Sequence, residues 1–419
     1  MAMNRKLIPP PVDTIKSWLI VFSSSLLFFY SFMQLNLLNP INEAIMRDFQ
    51  MTPTEMGWLS SMYFFANFFL LFPAGIVLDR FSTKKLILIA MSFSIVSMFG
   101  FALSHSVLLA GFFRFLAGIG GAFCFIGPVR LASRWFSPKK LALVIGCLVT
   151  VGMLGGLVAQ TPVNIVSEAV GWRNMMLLCG VVGIVFFIWM WVFVRDWQKT
   201  WEKKDIDKLE FWHGLYLVLK NRYNWFGGLY TAFLNLPIFV LGALWGQLYL
   251  TDGHGISRDA SSFILSALFF GSIIGAPTMG WFSDMIKRRK LPMLFGAALS
   301  FVVVVLIMYL PNQGVVSLLV LFLLLGFFTS TQALSYPNIA ELNFPLITGS
   351  ASSIISSILI ASGFVFQPLF GWLMKHTEKG HLAYTLEDFQ KAMAVLPICF
   401  LLGFVFSLLL KETRCRRHI

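Results

Sequence analysis

The chain has 419 residues, 58% of them hydrophobic and 12% charged, with 44 Phe and a mean hydropathy of +0.78. Soluble proteins carry about 25% charged residues, so this composition excludes a string of soluble domains and places the chain in a bilayer. The 32 Lys and Arg outnumber the 19 Asp and Glu, for a net charge of +13; they sit between apolar blocks and not along one soluble face, which speaks for membrane topology and against nucleic acid as a partner.

A spanning helix needs about 20 mostly apolar residues. The N-terminal stretch MAMNRKLIPPPVDTIK leads into the first such run with no small-residue cleavage site, so that run is expected to be retained. Candidates fall at 17–38, 56–78, 86–104, 107–131, 141–166 and 172–194. After a polar stretch they resume at 223–250, 260–282, 291–310, 315–338, 350–374 and 392–410. The expected fold class is an all-α membrane protein of 12 transmembrane helices. A six-helix unit covers 1–194, a link 195–222, and a second six-helix unit 223–419. The link mixes both charge signs with Trp197, Trp201, Phe211 and Trp212. It reads equally as an amphipathic helix on the inner interface or as a solvated tether.

Of the 32 Lys and Arg, 25 fall in the segments that share a side with the termini and 6 on the opposite side. That asymmetry predicts cytoplasmic termini. The remaining one, Arg114, lies inside span four. A repeat is visible at the loops. Gly75-Ile-Val-Leu-Asp79-Arg80-Phe-Ser-Thr-Lys84-Lys85 follows span two, and Gly280-Trp-Phe-Ser-Asp284-Met-Ile-Lys287-Arg288 follows span eight. Both place Asp four residues after Gly and a basic cluster beyond it.

These loops resemble the signature of the major facilitator superfamily of secondary transporters, and the likeness covers nearly the whole chain. Span four carries Arg114-Phe-Leu-Ala-Gly118-Ile-Gly120-Gly121, and span five carries Gly146, Gly152, Gly155, Gly156 and Pro162. Gly171-Trp172-Arg173 opens span six. The resemblance implies two pseudo-symmetric six-helix bundles around a central cavity, working by alternating access. It further implies a monomer in a plasma membrane, the bacterial inner membrane. Gating roles go to Asp79, Arg80, Lys84, Lys85, Asp284, Lys287 and Arg288. Asp79 is then expected at the N-terminal end of span eleven and Asp284 at that of span five, when the cytoplasmic side is closed. Helix-packing roles fall to Gly75, Gly118, Gly152, Gly155, Gly156, Gly280 and Gly371, the last accompanied in span eleven by Gly363 and Pro368.

Charge inside a membrane is costly and marks function. Arg114 is expected either to bind an anionic group on the solute, through its planar fork, or to brace the bundle. In the family, spans one, four, seven and ten line the cavity. Tyr30 with Gln34, Thr231 with Asn235, and Gln332 with Tyr336 each share a helix face there. Tyr63 with Asn67, Gln160 with Asn164, and Gln367 are further candidates. All 19 acidic residues and all 6 histidines lie in loops, tails or span ends, so no membrane-embedded proton carrier is expected.

There is no ATP-binding GxxxxGK[ST] loop, no His/Cys cluster with metal spacing and no nucleophile beside a base, so neither an enzyme, a cofactor nor a metal is expected. The five cysteines form no disulfide framework. The leading expectation is a carrier of a small polar organic solute: an organic acid, amino acid or short peptide. A drug or siderophore efflux carrier is the alternative, and a non-transporting receptor on the carrier fold a second.

Overall fold

The computed structural model describes residues 14–196, 216–311, 313–344, 347–377 and 384–415. Trp197, Trp201, Phe211 and Trp212 of the link fall outside the described residues.

Eleven helices among the described residues are long and apolar enough to cross a membrane. They are span one (Ile15–Asn36), span three (Thr83–Ala102), span four (Val107–Trp135), span five (Leu143–Val170) and span six (Trp172–Phe193). Then come span seven (Arg222–Gly253), span eight (Arg258–Ile286), span nine (Lys290–Tyr309), span ten (Val315–Glu341), span eleven (Thr348–His376) and span twelve (Leu386–Leu409). The place of the expected second span is taken by Pro53–Arg80, a 28-residue helix. At 1.5 Å per residue it is about 42 Å long, enough to cross the ~30 Å hydrocarbon layer.

Span starts follow capping chemistry. Thr52 accepts from the Glu55 N–H while Glu55 reaches back to the Thr52 N–H, with Pro53 at the first helical position. Ser82, Ser106 and Ser257 cap spans three, four and eight by the side-chain bond alone, accepting from the N–H groups of Lys85, Leu109 and Ala260. Several spans run longer than their apolar cores: span seven has 32 residues and spans four and eight 29 each. Polar residues at their ends, such as Asp252 and Arg258, stay helical because a cap or a side-chain partner receives them.

The helices one, four, seven and ten are interrupted. Span one ends at Asn36, and after Leu37 the chain continues as Leu38–Phe49. Span four is α-helical to Gly121 and again from Ile126. Span seven changes to a π-helix over Pro237–Trp245 and again over Tyr249–Gly253. Span ten tightens into a 3₁₀ turn over Ser330–Leu334. Broken helices inside a membrane persist where they line a cavity or meet protein partners. Span five breaks as well, at Ala159 and Gln160.

Spans one to six pack among themselves, as do spans seven to twelve. An acid near the end of each half caps a matching helix start. Asp196 accepts from the Ser82 hydroxyl and from Lys84 N at 3.0 Å. Glu412 accepts from Arg289 N at 2.9 Å and Lys290 N at 3.0 Å. These caps, with the first and last described residues, mark one end of the bundle, the near end; the opposite end is the far end.

Candidate functional site

The two halves are joined at the far end. Asn42 Nδ2 donates to Leu244 O at 2.7 Å, and Gln160 Nε2 to Gly242 O at 2.9 Å. Gln247 N donates to Asn39 Oδ1 at 3.0 Å, and Asn39 Nδ2 to Gln160 Oε1 at 2.9 Å. Asn164 Nδ2 donates to Asp259 Oδ1 at 2.9 Å, Thr161 and Ser266 share a hydroxyl bond, and Glu43 pairs with Arg258. Helix contact is tightest at glycines. A Cβ on Gly57 would lie 2.7 Å from Pro368 Cα, one on Gly371 2.3 Å from Pro53 O, and one on Gly156 2.5 Å from the Phe269 ring.

Inside this layer sits an apolar plug of Leu35, Phe64, Ile238, Phe239 and Phe269, backed by Phe32, Leu359 and Phe364. The Phe64 and Phe239 rings are 4.7 Å apart. Phe64 also fills the space beside Gly363. The far end is therefore shut by amides outside and aromatic rings within.

Arg114 lies behind the plug, 4% exposed. Its Nη1 donates to Gln34 O at 2.9 Å, and its guanidinium stands 5.4 Å from the Tyr63 ring centroid. Its Nε has no hydrogen-bond partner, and among the described residues no carboxylate pairs with it. It borders a cavity of about 10 Å³ with Gln34, Ser97, Met98, Phe113 and Met176, which is room for about one water. Gln34 Oε1, Ser60 Oγ and Ser94 Oγ are likewise buried and unpartnered.

The expected cavity pairs divide. Tyr30 donates to Cys179 O on span six at 3.0 Å, and Gln34 Nε2 to Ser94 O on span three at 2.8 Å. Both therefore face the interior of their own bundle in this conformation. The side of span one that meets the other half carries Phe32, Leu35 and, past the break, Asn39 and Asn42. On the other half, Gln332 Nε2 donates to Asn235 Oδ1 at 2.8 Å, leaving Asn235 Nδ2 and Gln332 Oε1 buried and free. This pair joins the last α-turn of span seven to the 3₁₀ turn of span ten. Thr231 bonds Ser335, and Tyr336 shares a 3.1 Å hydroxyl bond with Ser356. Gln160 and Gln367 serve the backbone of span seven, the latter donating to Phe239 O at 2.7 Å.

At the near end, the side chains of Asp79 and Arg80 fall outside the described residues. Lys84 Nζ donates to Trp191 O at 2.5 Å, and Lys85 N to Ser82 Oγ. Lys287 adopts a left-handed conformation, φ 52°, ending span eight, with Arg288 exposed beside it. Asp284 pairs at 2.6 Å with Arg289 of its own half, and Arg289 also pairs with Glu341 at 3.0 Å. Burial works against the Arg289 charge, but Glu341 and Asp284 outweigh it and hold the guanidinium above its ordinary range. Burial likewise works to raise Glu412; the N–H groups of Arg414, Arg289, Lys290 and Thr413 more than reverse this and leave its carboxyl low.

Of the glycines expected to pack helices, Gly118 approaches Tyr63 O, Gly152 the Phe28 ring and Gly155 Phe29 O, all under 3 Å. Gly156 and Gly371 do so across the two halves. At Gly75 and Gly280 a Cβ would meet no described atom within 4 Å. They lie in the last turns of their helices, at the near end. Sequence reasoning missed Asn39, Asn42, Glu43, Gly57 and Arg258. The signal was there: Asn36, Asn39 and Asn42 recur every three residues, a polar stripe continuing an apolar span.

The Major Facilitator Superfamily profile matches residues 24–246 and 228–416. The chain is 23% identical over 406 residues to "Probable galactarate/D-glucarate transporter GudP" of Escherichia coli (strain K12), covering 87% of this chain and 88% of that one. It is 26% identical to the "Hexuronate transporter" of Bacillus subtilis (strain 168), covering 58% and 59%. In fold it matches a bacterial homolog of the human lysosomal transporter Spinster, crystallised inward-facing and unoccupied. There the TM-score is 0.78 at 16% identity, over 95% of this chain and 98% of that one. Helix count and order, paired loops and profile agree: the chain belongs to the Major Facilitator Superfamily, as a multi-pass membrane transporter and not an enzyme.

Proposed function

We propose that the protein carries a small hydroxylated organic acid, of the sugar-acid kind, by alternating access, as a monomer in the bacterial inner membrane. The observation that carries this reading is Arg114, a buried guanidinium with no carboxylate partner among the described residues. Such a charge is costly unless a ligand uses it, and its fork suits a carboxylate. The free donor of Asn235 and free acceptor of Gln332 suit a hydroxyl group. Named relatives that carry hexuronate and galactarate or glucarate point to the same chemistry. The cavity beside Arg114 is too small for such a solute here, so loading requires Tyr63 or Gln34 to move as the far end opens.

The charge count favours a cytoplasmic near end, and on that reading this conformation is closed to the outside. No carboxylate or histidine sits deep in a span to carry a proton. An anion entering alone against 100 mV, inside negative, costs about 2.3 kcal/mol, close to a 50-fold concentration ratio. Exchange of one anion for another avoids that cost and is the transport mode this reading favours.

The test measures affinity and melting temperature together. In purified Arg114→Lys and Arg114→Gln, galacturonate binding should fall in that order while galactose binding, if any, is little changed. Melting temperatures should stay near that of the unsubstituted protein. If both variants melt early and lose every ligand alike, Arg114 is a brace and the reading fails.

A further inference from the structure

Span seven presents backbone carbonyls to a ring of carboxamides. Its helix is α to Leu236, π over Pro237–Trp245, α for Gly246–Leu248 and π again over Tyr249–Gly253. π-helix is rare beyond single turns, so fourteen such residues in one span need support. Pro237 contributes by removing one N–H from the ladder. The rest comes from side chains. Gln367 donates to Phe239 O at 2.7 Å, Gln160 to Gly242 O at 2.9 Å and Asn42 to Leu244 O at 2.7 Å. Asn39 accepts from Gln247 N at 3.0 Å and steadies Gln160 through its own amide. These four side chains are at most 1% exposed, so each bond is made away from water.

Three of the four, Asn39, Asn42 and Gln160, belong to the opposite half. Their bonds exist only while the far end is shut. Gln367 alone stays with span seven when the halves separate.

We infer that far-end closure and the π register of span seven are one switch: when the far end opens and the three amides withdraw, the segment 237–253 relaxes toward α-helix. A π turn holds more residues than an α turn, so the same residues stand taller as α-helix, at 1.5 Å each. The segment lengthens and turns about its own axis. Asn235, two residues before Pro237 and tied to Gln332, stays in place while the helix beyond it re-registers. The motion is thus not a rigid rocking of two bundles alone; it changes the internal geometry of one span, next to the polar pair.

The distinguishing measurement is a distance within span seven, which rigid rocking leaves untouched. Spin labels at Leu229 and Thr251 report that distance by double electron–electron resonance. A second pair at Thr54 and Trp372 reports opening between the halves. Both pairs are placed in a background lacking the five native cysteines and measured in lipid nanodiscs. Two variants open the far end by different routes. Arg258→Glu sets a like charge against Glu43 and touches none of the amides, whereas Gln160→Leu removes one donor. In both, the 54/372 distance should grow, and a longer 229/251 population should rise in the same proportion. The inference is overturned if 54/372 separates while 229/251 keeps a single unchanged distance. It is also overturned if neither variant separates the 54/372 pair, since the amides and their neighbouring ion pair would then not hold this end.

Discussion

Replacing Gly57 with alanine adds one methyl group where two helices from opposite halves touch backbone to backbone. The new Cβ would sit 2.7 Å from Pro368 Cα and 2.8 Å from Gln367 O. Neither atom belongs to a side chain that can rotate away, so the helices must part. Overpacking of this kind costs about 1–3 kcal/mol, and here only the far-closed state bears it. The equilibrium should shift toward far-open by about 5- to 150-fold. The assay is thiol labelling from the far side of a single cysteine at Ile238, in the plug, alongside transport and melting temperature. Labelling should speed up and net transport slow, because the carrier dwells in one state. Gly118→Ala is the control: its Cβ would meet Tyr63 O at 2.2 Å inside one half, so it should lower the melting temperature and leave labelling per folded molecule unchanged. If Gly57→Ala labels and transports like the parent, helix contact at Gly57 is not what shuts the far end.

Other outcomes follow from the near end and the cross-half ion pair. Glu43→Arg should slow closure of the far end, and Glu43→Arg combined with Arg258→Glu should restore it in a transport assay. Arg289→Gln leaves the half-buried Glu341 without its cation, which should be readable as a lower melting temperature. Asp284 is exposed, so Asp284→Asn should leave that temperature alone; slower transport would mark a role in the opposite state. The depressed Glu412 carboxyl stabilises the fold above the usual carboxylate range. That contribution is lost as pH falls through its folded value, so Glu412→Gln should flatten the acid limb of the melting curve. Gly75→Leu and Gly280→Leu meet open space here and should cost little in this conformation, while hindering closure of the near end.

Helix number, order and the paired loops were legible because each is written in composition and short motifs. Hydropathy marks a span whatever its neighbours, and a glycine–aspartate loop repeats where the fold repeats. Which side of a span faces the pathway was less legible. Tyr30 and Gln34 share a face, as their spacing requires, but that face points at spans three and six. Nothing within span one says which of its polar faces meets its own bundle. Arg114 stood out because it is the lone cation well inside a span, away from its ends, whereas the amides at 39, 42 and 160 are common residues near span ends. Their importance lies in backbone partners some 80 to 200 positions away, and backbone atoms leave no trace in residue type. The π register of span seven is likewise hidden, apart from Pro237.

The acceptors on span seven are main-chain oxygens at 239, 242 and 244, and every residue type supplies such an atom. Substitution at Phe239 or Leu244 alters what the solute or the plug encounters while the amides keep something to hold. A lineage can therefore explore new cargo along this stretch without rebuilding its closure mechanism. Change at Asn42 or Gln160 enjoys no such tolerance, so drift should be lopsided across the interface, permissive on one half and restrained on the other.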